Sequence, residues 1–229
     1  ELATVMIVAP HQERSAVGHG ITMHQPLRAI PVANNDYQWL VNGTPADCVK
    51  LALEHLIKEN IPDLIISGIN HGPNLGSDIL YSGTVSAAVE GSFYKIPSIA
   101  VSLSGYKNFD FTPAAAFIGK NLHELKKLAT HSILNVNFPT VANIMEYQGV
   151  RFTELGVLTY QNVIVERKDP RGQIYFWIGG EPVHQDQTMD SDIKAIDGGF
   201  ISITPLQIQL TDREFLVKFG TIPSNLSIS

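Results

Sequence analysis

The sequence predicts an α/β fold with a mostly parallel sheet, followed by a β-rich C-terminal extension. Up to residue 139, short apolar segments of strand length alternate with helical patterns, which is typical of parallel strands joined by crossover helices. From residue 149 onward, short strands and turns predominate and helical patterns are few. We therefore divide the chain into a core at residues 1–140 and an extension at residues 141–229, which holds a hairpin arm and a C-terminal tail.

Strands of the core are predicted from short apolar runs bounded by turn residues. The predicted strands are residues 5–9, 27–32, 38–42, 63–67, 97–103 and 132–138. The second and third form a possible hairpin, turned by Asn34, Asn35 and Asp36. Pro139 stops the last strand, because proline has no backbone N–H to donate.

Helices between these strands are predicted from their start signals. One begins at Thr44, where a threonine cap is followed by proline at the first helical position and by Asp47 at the third. A helix rich in small residues is predicted at residues 84–93. A third begins at Thr112 with the same cap and proline, and runs to about residue 128.

The extension is predicted to consist mainly of strands. They are placed at residues 149–155, 163–167, 174–178 and 200–204. A strong turn at residues 169–172 joins the second and third into a hairpin arm. A capping box at Thr211 and Glu214 begins a last short helix that ends at Phe219.

Composition excludes several classes of protein. Of the 229 residues, 44% are apolar and 17% are charged, which excludes a disordered chain or a coiled coil. The net charge of −6 disfavours general binding to nucleic acid. No apolar run exceeds five residues, so we expect neither a membrane-spanning helix nor a signal peptide. The single cysteine, Cys48, excludes an intramolecular disulfide and fits a reducing, cytoplasmic compartment.

Three polar segments are candidates for a site. Residues 10–19 and 67–76 each follow a predicted strand, at the edge where open α/β sheets bind ligands. The second segment is rich in glycine and carries Asn70 and Asn74, whose amide oxygens suit a hard cation. Residues 81–85 begin a helix, where hydroxyl and free N–H groups can bind an anion. Each segment also has an ordinary interpretation: a polar loop, a turn-rich connection and a Ser/Thr helix cap, respectively.

Other familiar sites are not supported by the spacing of residues. The glycines fit neither the dinucleotide-binding pattern nor the Walker A pattern. Ser82 does not lie in a G-x-S-x-G nucleophile elbow, and the histidines show no H-E-x-x-H spacing. Cys48 lies within an apolar helical pattern and is expected to be buried and unreactive.

Taken together, these segments resemble the SurE (survival protein E) nucleotidases. The similarity lies in V-A-P-x-x-x-R-S at residues 8–15, G-T-P-x-D-C-V at residues 43–49 and, above all, S-G-I-N-x-G-x-N-L-G-x-D-x-x-Y-S-G-T-V at residues 67–85. It continues through A-V-S-L at residues 100–103, D-P-R-G at 169–172, W-I-G at 177–179 and S-I-T-P-L at 202–206. The resemblance therefore covers nearly the whole chain.

The resemblance implies a Rossmann-like core and a phosphatase that depends on Mg²⁺ or Mn²⁺ and acts on nucleoside 5′- and 3′-monophosphates. By matching residues to the family motifs, Ser15 and Asn70 are the expected metal ligands. Asn74, Ser82 and Thr84 are the expected catalytic and substrate-binding residues, and Gly83 is a further substrate-binding residue. The β-rich extension is expected to make contacts between subunits of a homodimer or homotetramer.

One element of the family pattern does not occur in this sequence. The first strand of the family ends in Asn-Asp-Asp-Gly, whose aspartates complete the metal site, and no such tetrapeptide is present. We expect this strand and its crossover helix, roughly 25 residues, to precede Glu1. The alternative function is a catalytically inactive module that binds nucleotide or phosphate.

Overall fold

The computed structural model describes residues 3–33, 35–105, 110–141, 143–161, 163–184 and 188–220. Within these ranges the chain forms α-helices and a central five-stranded sheet whose neighbouring strands are mostly parallel, which confirms the predicted fold class. Two sequence predictions lie partly outside the described residues, namely Asn34 in the hairpin turn and the tail after residue 220. No helix in the described ranges is both long and apolar enough to cross a membrane.

A three-stranded sheet is formed by β1 (Ile7–Pro10), β2 (Ala29–Val32) and β3 (Asn35–Val41). Strand β3 lies in the middle, parallel to β1 and antiparallel to β2. The antiparallel pairing of β2 with β3 confirms the hairpin that was predicted from the sequence. Strand β1 ends at Pro10, so the polar loop that begins at His11 starts at the carboxyl end of a parallel strand.

A second sheet has five strands: β4 (Ile65–His71), β5 (Ser98–Leu103), β6 (Ile133–Phe138), β7 (Val150–Phe152) and β12 (Ile201–Leu206). Their order is β4-β5-β6-β12-β7, and all neighbours are parallel except β6 and β12. Every residue of β5 and β6 is buried, as expected for central strands covered on both faces. The core strands are therefore divided between two sheets in the described part of the chain.

Four helices pack against these sheets: α1 (Pro45–Leu51), α2 (Gly83–Phe93), α3 (Thr112–Lys120) and α4 (Leu122–Ala129). A π-helical segment, Ala52–Leu56, continues α1. The prediction of one helix from Thr112 to about residue 128 is wrong, since α3 ends at Lys120 and α4 begins at Leu122, with Asn121 between them. The Asn121 side chain donates to the carbonyl of Phe117 at 2.8 Å, and such bonding from a side chain to the backbone competes with a continuous helix.

Two predicted helix caps are each shifted by one residue. Thr112 is the first residue of α3 and not its cap, and its N–H donates to Asp110 at 2.8 Å instead. The last described helix, α6 (Arg213–Phe219), is capped by Asp212, which accepts from the N–H of Phe215 at 2.8 Å. Aspartate replaces threonine as the cap of α6, because its short acidic side chain reaches the free N–H groups equally well. In α3 the cap residue is Phe111, which makes no capping hydrogen bond.

The main hydrophobic core lies between the five-stranded sheet and the pair α3 and α4. Its members are buried aliphatic and aromatic side chains: Ile99, Val101, Leu103, Ala114, Ile118, Leu125, Ala129, Leu134, Val136, Phe138, Ile201 and Ile203. Strands β5, β6 and β12 supply most of them, so β12 of the extension shares its core with the first part of the chain. This shared core holds β4 and β5 in the register that places the glycine-rich loop.

The extension also contains two antiparallel pairs and one short helix. Strand β8 (Leu158–Gln161) pairs with β11 (Glu181–His184), and β9 (Ile164–Lys168) pairs with β10 (Ile174–Ile178) as the predicted hairpin arm. Helix α5 (Asp192–Asp197) begins at a buried carboxylate. That carboxylate, Asp192, accepts from the N–H groups of Gly76 and Gly156 at 2.8 Å each. It therefore joins the extension to the glycine-rich loop of the core.

A second buried carboxylate, Asp47, fixes the start of α1. It accepts from the N–H of Thr44 at 2.8 Å and from the N–H and hydroxyl of Thr22 at 3.0 and 2.6 Å. Thr44 in turn accepts from the N–H of Asp47, completing the predicted capping box. Burial alone would raise the pKa of Asp47, but the hydrogen bonds from Thr22 and Thr44 outweigh it and lower that pKa.

We predict that Asp47→Asn lowers the free energy of unfolding by about 2 kcal/mol at pH 7, because an amide N–H₂ would face the N–H of Thr44. Since the pKa is lowered on folding from 3.8, the stabilisation is present above that value and is lost as the pH falls through the folded-state pKa. Urea unfolding at pH 7 and near pH 3 should show the difference between the variant and the wild type shrinking at low pH. Asp63→Asn, which removes an exposed carboxylate, is the control, and an equal effect of the two substitutions would contradict the assignment.

Candidate active site

The loop at residues 10–22 follows β1 and carries Ser15 on its exposed surface. The Ser15 hydroxyl donates to Glu13 Oε1 at 3.2 Å. A few residues later the loop docks on the segment before α2, where the N–H of Gly18 donates to the carbonyl of Tyr81 at 2.9 Å. The structure therefore brings the first and third candidate segments of the sequence together.

Gly83 allows this close docking because it has no side chain. A Cβ atom at residue 83 would lie 2.9 Å from Cγ of Pro45 and 3.2 Å from Cγ2 of Val17. The first distance is shorter than real Cβ atoms show and the second is tighter than most, so a larger residue would push α1 or the loop away from the start of α2. The expectation that Gly83 belongs to the site remains a prediction, and its backbone lies at the helix start.

The start of α2 presents hydroxyl and N–H groups in one place. Ser82 is the buried N-cap residue, and its hydroxyl oxygen accepts from the N–H of Val85 at 3.1 Å. Its hydroxyl hydrogen can still be donated to an anion, since a serine both donates and accepts. The N–H groups of Gly83 and Thr84 lie in the first helical turn, where backbone donors have no acceptor within the helix. This is a helix start suited to binding a phosphate.

The glycine-rich loop begins within β4, at Gly68. This residue has φ of +132°, and a Cβ on it would lie 2.3 Å from the carbonyl oxygen of Val101. The loop then carries Asn70, whose Nδ2 donates to the carbonyls of His71 and Gly72 at 3.3 and 2.9 Å. With its nitrogen held by the backbone, the amide oxygen of Asn70 has no hydrogen-bond donor among the described residues and is available to a ligand.

Asn74 is held by a buried polar layer on β5 and β6. Its N–H donates to Asn137 Oδ1 at 2.9 Å and its Nδ2 donates to Ser102 Oγ at 2.7 Å. Its carbonyl accepts from Asn135 and Asn137 at 2.8 and 3.0 Å. Only 7% of Asn74 is exposed, and its main role is to hold the loop in place. An amide nitrogen carries two hydrogens, so one Nδ2 hydrogen is left for a ligand.

Sequence reasoning missed the residues that support Asn74. Ser102, Asn135 and Asn137 are fully buried on central strands, where most neighbours are apolar. The asparagines at 135 and 137 alternate with apolar residues in β6, and this period of two could have indicated a polar layer on one face of the strand. Buried polar side chains need partners, and here the backbone and side chain of Asn74 supply most of them. The exception is Asn135 Oδ1, which is buried and has no hydrogen-bond donor among the described residues.

The oxygen atoms of Ser15 and Asn70 suit a hard divalent cation, but they are both neutral. Among the described residues, no group of three or more His, Cys, Asp or Glu side chains could hold a metal ion. Mg²⁺ and Mn²⁺ sites in proteins usually include one or two carboxylates. Ser15 and Asn70 would therefore supply only part of such a site, and carboxylate ligands would be needed to complete it.

Comparison with known proteins identifies the family. Residues 1–162 match the family described as Survival protein SurE. The chain is 49% identical to a 5′-nucleotidase SurE from Alkaliphilus metalliredigens, over 97% of this chain and 89% of that protein. It is 48% identical to a 5′-nucleotidase SurE from Desulforudis audaxviator, over 93% of this chain and 84% of that protein.

A solved structure agrees with this result. The crystal structure of the SurE protein from Aquifex aeolicus superimposes with a TM-score of 0.80 at 36% sequence identity, covering 94% of this chain and 87% of that one. The motifs at residues 8–15, 43–49 and 67–85 thus belong to a chain whose sequence and fold both match this family. The protein described here belongs to the SurE family.

Proposed function

We propose that the protein is a metal-dependent phosphatase that hydrolyses nucleoside 5′-monophosphates, and also 3′-monophosphates, to the nucleoside and inorganic phosphate. Relatives named 5′-nucleotidase SurE are 45–49% identical to it over most of its length, which supports a phosphoric monoester hydrolase. None of these comparisons favours the alternative of an inactive binding module. The observation that carries the proposal is the docking of Val17 and Gly18 on residues 81–83, which sets the loop of Ser15 beside a helix start able to bind phosphate.

The chemistry proposed for this site begins with binding of the phosphate dianion. The N–H groups of Gly83 and Thr84 and the hydroxyls of Ser82 and Thr84 would donate to its oxygen atoms. Negative charge shifts among these oxygens during hydrolysis, and donors fixed before reaction stabilise that charge without having to reorganise. Asn74 would add one donor through its remaining Nδ2 hydrogen, from a position fixed by Ser102 and Asn137.

Membership of the family implies dependence on a divalent metal, and we propose Mg²⁺ or Mn²⁺ as that metal. Ser15 and Asn70 would supply neutral oxygen ligands to it, and oxygen donors suit both cations. A cytoplasmic location goes with this proposal, because the sole cysteine fits a reducing compartment. Phosphate release from AMP, 3′-AMP and p-nitrophenyl phosphate, with Mn²⁺ and with EDTA, tests the function. Binding of AMP without any phosphate release would favour the inactive module.

We predict that Asn70→Ala abolishes phosphatase activity at low Mn²⁺ while leaving the fold intact, because the available amide oxygen is lost. Ser15→Ala should be milder, since water can replace a hydroxyl ligand, and raised Mn²⁺ should restore part of its activity. The measurement is activity against Mn²⁺ concentration, with circular dichroism as the check on folding. Asn60→Ala, which removes an exposed amide between α1 and β4, is the matched control. Near wild-type kcat for Asn70→Ala at low Mn²⁺ would refute its assignment as a ligand.

We predict that Ser82→Ala weakens inhibition by orthovanadate about 10- to 100-fold, because one hydrogen bond to a charged group is lost. The Mn²⁺ concentration for half-maximal activity should change much less. Ser86→Ala is the matched control, since that buried serine lies on the same helix and donates to the Ser82 carbonyl at 2.7 Å. Equal losses of vanadate and Mn²⁺ affinity in Ser82→Ala would argue against a separate phosphate role.

We also propose a homodimer or homotetramer, with the hairpin arm of β9 and β10 at the subunit contacts. Every residue of both strands is exposed, and Trp177 and Ile178 are 63% and 82% exposed. A two-stranded hairpin is marginally stable alone in water, so an arm that exposes large apolar side chains on both faces needs a surface to pack against. Helix α6 also exposes large apolar side chains, namely Phe215, Leu216 and Phe219.

Deleting residues 163–178 and closing the gap with a short glycine linker should lower the mass measured by light scattering. The wild type should have two or four times the chain mass of 25.1 kDa, and the deletion variant should be smaller by at least half. Tyr37→Ser removes an equally exposed aromatic side chain from β3 and should leave the mass unchanged. A wild-type monomer at micromolar concentration would refute the proposed assembly.

A further inference from the structure

Helix α2 carries a buried carboxylate, Glu90, that lies outside the proposed phosphate site. Only 4% of Glu90 is exposed, and each of its oxygens has one basic partner. Oε2 accepts from His19 Nε2 at 2.8 Å, and Oε1 accepts from Lys50 Nζ at 3.2 Å. A buried carboxylate is unfavourable unless it is paired and hydrogen-bonded, so these two contacts determine whether Glu90 is tolerated.

The two partners come from different parts of the core. Lys50 lies on α1 and also donates to the hydroxyl of Tyr94 at 3.4 Å, while that hydroxyl donates to Glu54 at 2.8 Å. The hydrogen bond to Glu90 is the main cause that raises the pKa of Lys50. Lys50 therefore ties α1 to α2, and among the described residues its hydrogen bonds are to Glu90 and Tyr94 and not to the loop of Ser15.

His19 lies on that loop, four residues after Ser15. Its ring stacks on Phe93 of α2, with centroids 5.7 Å apart and planes 9° from parallel. The two preceding loop residues lie close to the same helix start: Val17 packs beside Gly83, and Gly18 donates to the carbonyl of Tyr81. Three consecutive loop residues therefore contact α2 and the residues just before it. Of these three contacts, the bond from His19 to Glu90 is the one made to a buried charge.

We propose that His19 and Glu90 form a positioning pair, which holds the loop of Ser15 against α2 and so sets the geometry of the phosphate site. This inference rests on the function proposed above. Glu90 is eight residues after Ser82, roughly 12 Å along the helix axis, so neither member of the pair is expected to touch the phosphate. They act through the loop, and a displacement of about 1 Å in a catalytic group can reduce a rate about 100-fold.

Three variants separate this role from a general effect on stability. His19→Leu removes the donor to Glu90 and retains an apolar side chain against Phe93, while His19→Gln retains an N–H donor. Lys50→Met is the matched control. It removes the other partner of the same carboxylate, and Lys50 is not hydrogen-bonded to the loop in the described part of the chain. Trypsin cleavage after the exposed Arg14 reports on opening of the loop, whether or not the enzyme is active.

We expect His19→Leu to speed cleavage after Arg14 about tenfold. We expect it to lower kcat/KM for AMP and the affinity for inorganic phosphate by about the same factor. His19→Gln should restore most of each loss, and Lys50→Met should leave all three within about twofold of the wild type.

If trypsin cleaves His19→Leu no faster than the wild type, the proposal that His19 and Glu90 hold the loop against α2 is wrong. Faster cleavage with unchanged phosphate affinity and kcat/KM would overturn the pair's effect on the site, as would equal losses in Lys50→Met. If the wild type releases no phosphate from any substrate, the proposed function is wrong. The positioning role is then still tested by trypsin cleavage after Arg14 and by the affinity for inorganic phosphate. If His19→Leu does not fold, His19→Phe serves in its place, since it also removes the donor to Glu90 and keeps a ring against Phe93.

Discussion

The loop at residues 10–22 is held in place by two carboxylates that have almost no contact with solvent. Asp47 at the start of α1 binds Thr22, near the end of the loop, and Glu90 within α2 binds His19, a few residues earlier. Each oxygen of both carboxylates accepts at least one hydrogen bond, which offsets part of the unfavourable burial of charge. The rest of the proposed site depends on these contacts, because the loop carries Ser15 and covers the side of the helix start.

A second constraint comes from the polar layer beneath the glycine-rich loop. Asn135 and Asn137 on β6 and Ser102 on β5 place polar groups inside the sheet, and the backbone and side chain of Asn74 satisfy most of them. Apolar residues at these positions would pack as well and would leave the loop without partners. The layer therefore fixes the glycine-rich loop at Asn74. Asp192, which belongs to the extension, fixes the end of the loop by accepting from the N–H of Gly76. A loop fixed at both ends can offer Asn70 in one geometry, which is what a ligand site requires.

Features set by local sequence were the ones that could be predicted. The capping box at Thr44 and Asp47, the hairpin of β2 and β3 and the start of α2 at Ser82 all depend on residues a few positions apart. The missed features depend on distant partners: Glu90 lies inside a predicted helix, but its partner His19 is 71 positions away. The division of the core strands between two sheets is likewise decided by pairing between distant segments. The candidate site residues were proposed from family motifs. The buried layer that supports Asn74 was missed, since its asparagines resemble ordinary strand residues.

We propose that the start of α2, covered by the anchored loop, binds the phosphate of a nucleotide. The most direct measurement is a crystal structure of the protein with AMP and a divalent metal. The phosphate oxygens should accept hydrogen bonds from the N–H groups of Gly83 and Thr84 and from the Ser82 hydroxyl, with Ser15 and Asn70 facing the same ligand. A phosphate bound elsewhere, with these donors directed at solvent, would contradict the account.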